Sequence, residues 1–331
     1  MSHRNTSNRT ETDVEVTTTA TPHPDVQAIL DGRAELGIPR LSSLSVGGMR
    51  QLLEELWAPP ADPEPVAAVR DVSIDGPAGD VPIRIYTPDG SGPFPVLVYF
   101  HGGGWVAGGI ELDDGICRAL TNAAGCAVAS IGYRHAPEHP FPAPLEDCYA
   151  ATEWVVEHSE VAHGDPDRIA VVGESAGGNL AAAVAQVARD RGGPALAHQV
   201  LVTPVLDRSF DRPSYDIDPS QLVITRADVE WVWDRYLESD LDANNPYASP
   251  LRARDLSGLP SATIVTAGFD VLRDEGLAYA ERLEDAGVRV TYREYDDVIH
   301  GFLGMLDDPA LERAREVIDA VARDLRDSFG G

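Results

Sequence analysis

From residue 95 onward the chain alternates between two kinds of pattern, and this alternation limits the fold more than any other feature. PVLVYF (95–100) is an unbroken apolar run. Helical spacing follows in LDDGICRALTNAA, then the strand-like CAVASIGY, the helical LEDCYAATEWVVEH and the strand-like RIAVV, residues 168–172. Ala176 to about Arg189 reads as a helix, HQVLVTP and SATIVTAG as strands, LAYAERLEDAG as a helix, VRVTYREY as a strand and residues 308–327 as a closing helix. Strands covered on both faces read as continuous apolar runs of this kind. Their alternation with helices predicts an α/β fold with a mostly parallel central sheet and helices on both faces.

Two segments stand apart from that rhythm. Residues 24–57 carry two helical patterns, PDVQAILDGRAEL and VGGMRQLLEELW, which WAPPADPEP breaks off. Residues 205–250 are polar and irregular around one helical patch, DVEWVWDRYLES. Trp231, Trp233 and Tyr236 in that patch read as core first and as pocket lining second. Between the two segments, VAAVRDVSI and VPIRIYTP flank the turn DGPAGD as paired strands. Residues 1–23 are polar and Thr-rich, so they are expected to be a disordered lead-in to one domain spanning 24–331. No apolar run reaches the ~18–20 residues of a membrane span. The N-terminus has no apolar signal region and no twin arginine, so the expectation is a cytoplasmic, soluble chain without a membrane partner.

Charge narrows the partners. Acidic residues number 54 against 26 basic ones, for a net charge of −28, and every basic residue is arginine. Nucleic acid and anionic lipid would repel such a chain. A dense carboxylate surface without lysine suits molar salt, where the Debye length falls to ~3 Å and mutual repulsion is screened. Salt adaptation is therefore expected. Cys117, Cys126 and Cys148 form no disulfide framework, and no Cys/His cluster has metal spacing, so no metal is expected. Nothing in the sequence sets the oligomeric state, and a homo-oligomer stays open.

The chemistry concentrates at GESAGG, residues 173–178, where RIAVV gives way to the alanine-rich helix. G-x-S-x-G on a strand-to-helix corner is a nucleophile elbow that projects Ser175 from the end of the sheet. A serine hydroxyl needs a base, a group to orient that base and donors for the developing oxyanion. HGGGW (101–105) directly follows PVLVYF. Three glycines are costly to order, and they make sense where backbone N–H groups must face a substrate. Ala176, after the nucleophile, offers a further amide.

The chain order Ser, acid, His requires a late histidine. His300, in VIHGF, follows the last strand; His198, the other histidine after the elbow, opens a strand at the wrong end. Asp270 sits just past SATIVTAG, at the carboxyl end of a strand, where sites form in open α/β sheets. Asp274 is the main alternative, inside the following helix with Glu275, while Asp296 and Asp297 precede His300 on its own loop.

HGGGW, YRHAPEHPFPAPLED, GESAGGNLAA, GFDVLRDEG and VIHGF, in this order, resemble the hormone-sensitive-lipase group of α/β-hydrolases, also called bacterial esterase family IV, over roughly residues 24–325. The resemblance implies hydrolysis of short- to medium-chain carboxylic esters, with a small-molecule ester as the partner. It implies no cofactor, and a helical cap built from 24–57 and 205–250. It implies Ser175 as nucleophile, His300 as base, Asp270 as orienting acid, and an oxyanion hole of Gly103, Gly104 and Ala176. Amidases, formamidases and small-metabolite deacetylases share this machinery, and a non-catalytic ligand receptor on the same fold is the reading from another class. Four features depart from the group: Glu174 where Asp is more common, Val271 where Pro is usual, His135 for Leu, and DDVIHGF for Gly-Met-Ile-His-Gly-Phe.

Overall fold

The computed structural model describes residues 21–59, 62–306 and 311–330. Eight strands form one sheet among these residues: β1 (Ala68–Gly76), β2 (Gly79–Thr87), β3 (Phe94–Phe100), β4 (Ala127–Ile131), β5 (Gly164–Glu174), β6 (His198–Val202), β7 (Ser261–Phe269) and β8 (Val290–Ile299). Their order is β1-β2-β4-β3-β5-β6-β7-β8. β1 and β2 form a hairpin in which Gly76 faces Gly79, and β2 runs antiparallel to β4. Every other pairing is parallel. Val96–Phe100 of β3 is fully buried, as a strand with both faces covered must be.

The helices are α1 (Pro24–Glu35), α2 (Val46–Leu56), α3 (Asp114–Ala124), α4 (Ala143–Glu157), α5 (Ala176–Arg191), α6 (Arg226–Tyr236), α7 (Arg273–Asp285) and α8 (Glu312–Ser328). β3 connects through α3 to β4 on one side, whereas β5 connects through α5 to β6 on the other. Right-handed crossovers in opposite directions put their helices on opposite faces. Accordingly α3 packs on α8, and α4 packs on α5. The connections diverge between β3 and β5, and that opens a crevice at the carboxyl ends of these strands.

Several boundaries differ from the sequence reading. β5 begins at Gly164 rather than Arg168, because Phe94 pairs with Gly164 ahead of a bulge. β8 runs on to Ile299, and α7 starts at Arg273. The closing helix starts at Glu312; residues 307–310 lie outside the described residues, as do 1–20 of the expected lead-in. At the end of that lead-in the His23 amide donates to the Asp297 carbonyl.

The two segments outside the alternation meet over the crevice. Arg40 donates to the Leu222 and Pro219 carbonyls, and the Ser42 amide donates to Asp228 at 2.7 Å. Asp228 also closes the capping box of α6 with Thr225. Arg50 of α2 reaches the Val106 carbonyl and pairs with Glu138 through both guanidinium nitrogens. Asp228 is thus a buried carboxylate that accepts from three donors.

Candidate active site

The corner after β5 is tight. Ser175 has φ 56° and ψ −116°, a conformation costly for a residue with a side chain. Its amide donates to the Val202 carbonyl at 2.8 Å, and its carbonyl accepts from Asn179 and Val205, which fix the turn. A Cβ on Gly177 would run into the Phe100 carbonyl, so the elbow can approach β3 only as glycine.

The three residues picked from chain order lie on one hydrogen-bonded line. Ser175 Oγ is 3.0 Å from His300 Nε2, and His300 Nδ1 is 2.8 Å from Asp270 Oδ2. The other Asp270 oxygen accepts from the Leu272 amide at 3.0 Å. With Nδ1–H donated to Asp270, Nε2 is left free to accept the serine proton. Burial disfavours charge on His300, yet the Asp270 carboxylate, with Glu174 behind it, holds its pKa above the ordinary 6.5. The rival carboxylates are engaged elsewhere. Asp274 accepts from the Ser214 amide and from Arg273, and Asp297 pairs with Arg313. Glu275 accepts from the Leu206 and Asp207 amides and the Tyr215 hydroxyl.

The glycine loop is held at both ends. His101 stacks on Tyr133 at 4.1 Å, donates Nδ1–H to the Gly102 carbonyl at 2.7 Å, and its own carbonyl accepts from the Tyr133 hydroxyl. His135 meets His101 edge-on at 5.3 Å. Burial, with His135 adding, pushes the His101 pKa down to about 3, so this anchor is a neutral ring. At the far end Trp105, fully buried, stacks on Tyr236 of α6 at 4.1 Å. Gly103, at φ +105°, lies where a Cβ would hit the Ala107 carbonyl. Among the described residues the Gly103 and Gly104 amides find no acceptor, and Ala176 opens α5 without a side-chain cap on its first turn. These are orphan donors at a helix start and a rigid loop, the arrangement that binds anions.

Gly102, Gly103, Gly104, Ser175 and His300 share one cleft of about 890 Å³ open to solvent. Leu41, Met49, Leu53 and Trp57 come from the N-terminal segment, and Ile224, Val229 and Val232 from the later one. Trp233 and Tyr236 are instead buried under the loop against Trp105, and Arg235 lies over the Trp231 ring, which keeps these aromatics off the cleft wall. Sequence reasoning missed Asp113, which lines the cleft and accepts from the Tyr99 hydroxyl at 2.8 Å. Burial lifts its pKa to about 6, with Tyr99 and the Gly102 amide opposing. An Asp in an acidic run, ELDDG, carries no motif that would single it out.

An eight-stranded, mostly parallel sheet with a serine elbow behind a central strand is an α/β-hydrolase architecture. The chain belongs to the alpha/beta hydrolase fold family, which it matches over residues 97–304. It is 46% identical over 243 residues to the carboxylic ester hydrolase LipN of Mycobacterium tuberculosis, covering 72% of this chain and 65% of LipN, just under two thirds of that protein's length. It is 36% identical to an arylesterase of Saccharolobus solfataricus, over 92% of this chain and 98% of the relative. Among solved structures it resembles the ester-hydrolase EH1AB1 from the metagenome of Lake Arreo, in complex with a derivative of bipyridine phosphonate. That likeness has a TM-score of 0.88 at 39% identity, over 94% of this chain and 100% of the other.

Proposed function

We propose that the protein is a serine carboxylester hydrolase of the hormone-sensitive-lipase group, acting on short- to medium-chain acyl esters. The observation that carries this reading is the line Ser175–His300–Asp270, at 3.0 and 2.8 Å, opening into an apolar cleft beside unpaired amides. Ser175 attacks the ester carbonyl while His300 takes its proton. Asp270 keeps the imidazole in the required tautomer and stabilises its charged form. The amides of Gly103, Gly104 and Ala176 receive the oxyanion, each contributing on the order of 10²–10³ in rate. The alcohol leaves with the proton from His300. Water, deprotonated by the same imidazole, then releases the acid. Residues 24–57 and 205–250 act as the cap that shapes the acyl pocket, and their apolar walls favour an uncharged chain.

A panel of p-nitrophenyl esters of increasing acyl length, run beside matched p-nitroanilides, tests the substrate class. The reading predicts a maximum at short to medium length and esters turned over faster than anilides. Faster anilide cleavage would transfer the site to an amidase. The pH dependence has a defined sign. Only neutral His300 can act as base, and its pKa lies above 6.5, so kcat/KM should fall on the acid side with a midpoint above that value. A midpoint below pH ~6 would contradict the arrangement.

Salt dependence belongs to the same proposal. Several arginines are already shared between carboxylates, as Arg84 is between Asp71 and Glu111, and a charge of −28 remains. Raising KCl from ~50 mM to ~2 M screens that repulsion, so the melting temperature should climb by several degrees. An unchanged melting temperature across the range would remove salt adaptation from the account.

A further inference from the structure

Glu174 is the last residue of β5, directly before the nucleophile. It lines the cleft floor with Asp113 and is 7% exposed. Its Oε1 is buried and has no hydrogen-bond partner among the described residues. The other buried carboxyls behave differently. Glu275 receives two amides and a hydroxyl, and Asp147 receives the Arg134 guanidinium. Glu174 is therefore not consumed by a structural latch.

The groups near it come from five elements. Tyr99 lies on β3, Asp113 precedes α3, Asp270 follows β7, His300 follows β8, and the Leu303 amide lies on the segment beyond. Among the groups that influence its ionisation no arginine appears, and His300 is the one that can become positive. A buried carboxylate without a counter-charge is costly. The positive charge available to offset it is the imidazolium that forms when His300 takes a proton from Ser175 or from water.

We infer that Glu174 is a positioning residue for the proton transfers of His300: its carboxyl, with Oε1 left without a partner, stabilises the imidazolium that forms in the same cleft. This rests on the esterase reading. Burial, reinforced by Asp113, lifts the resting Glu174 pKa to about 8, and His300 opposes that rise. The coupling is reciprocal, since Glu174 is among the groups that raise the His300 pKa. The assistance therefore grows as Glu174 ionises on the alkaline side.

The test uses Glu174→Gln, which keeps the shape and removes the charge, with Glu174→Asp as the conservative variant. Two quantities are read in each protein: kcat and KM on p-nitrophenyl butyrate against pH, and the His300 titration by imidazole ¹⁵N NMR without substrate. Glu174→Gln should lose about tenfold in kcat above pH ~8 and under about threefold near pH ~6, with KM little changed, where tenfold corresponds to one pKa unit. Its His300 should titrate lower than in the wild type, and Glu174→Asp should recover part of both effects. Wild-type kcat and an unmoved His300 titration in Glu174→Gln would overturn the inference. So would a uniform loss at every pH with that titration unmoved, which is the mark of a structural role. Should Glu174→Gln fail to fold, Glu174→Asp decides by the direction of its His300 shift. A wild-type protein without Ser175-dependent ester turnover would refute the esterase reading separately, and the NMR titration would still decide whether Glu174 acts on His300.

Discussion

Ser175→Ala should reduce kcat on p-nitrophenyl butyrate by on the order of 10⁶, the loss seen when a triad nucleophile is removed. The expectation follows from what the rest of the site can and cannot do alone. The oxyanion donors and the cleft would remain, and such residues sustain ~10³–10⁴ over the uncatalysed reaction in other triads. His300 would keep its bond to Asp270 at 2.8 Å but would have no hydroxyl to deprotonate. The substitution should not unfold the corner, because Ser175 fixes the turn through its backbone amide and carbonyl. Alanine at φ 56° meets the same backbone strain as serine, so stability should change little. A variant retaining even a hundredth of wild-type kcat would require another nucleophile.

Asp270→Asn should cost on the order of 10⁴ in kcat, through the tautomer rather than through geometry. An amide NH₂ beside Nδ1 would push the ring proton to Nε2, where it would point at Ser175 Oγ and block proton transfer. Asp270 is fully buried, with its second oxygen on the Leu272 amide, so the isosteric amide fits the same space. Asp274→Asn is the matched control, because Asp274 binds the Ser214 amide and Arg273 and does not reach His300. That variant should stay within about threefold of wild type, because the contacts it alters lie off the Ser175–His300 line. Kinetics of the two variants on one substrate check the assignment, and a larger loss from Asp274→Asn would move the orienting role to that residue.

The fold was legible because buried parallel strands print themselves as apolar runs. β3 and β7 stand out in this way, and the glycine corners between strands and helices mark the site end of the sheet. The misjudged boundaries share a cause. β5 gains Gly164–Asp167, whose letters GDPD hide their pairing, and β8 gains Asp296–Ile299, where two aspartates interrupt the pattern before the buried Val298 and Ile299. Pairing partners are set by distant residues, which local composition does not carry.

The hydrogen-bonded line was traceable from sequence because each of its members follows a strand: Ser175 after β5, Asp270 after β7 and His300 after β8. Topology then brings their ends together. The cleft walls were less legible. An amphipathic pattern in α2 shows that Met49 and Leu53 are buried, but not that they look into a cleft. In α6 the neighbours Val229 and Val232 face the cleft, while Trp233 and Tyr236 pack under the loop. Large aromatics drew attention in the sequence, yet their bulk supports the glycine loop from beneath. Asp113 was obscured for a third reason: in a chain with 54 acidic residues, one buried carboxyl looks like all the others, whereas Glu174 stood out only as a departure from the Asp more common before the nucleophile.

Covalent catalysis by Ser175 is open to intact-protein mass spectrometry after treatment with an alkyl p-nitrophenyl phosphonate. One phosphonyl adduct per chain should form, mapped by peptide analysis to the GESAGG segment, with p-nitrophenol released in equal amount and no adduct on Ser175→Ala. An adduct that persists in Ser175→Ala, or a wild-type protein that hydrolyses esters while remaining unmodified, would contradict it.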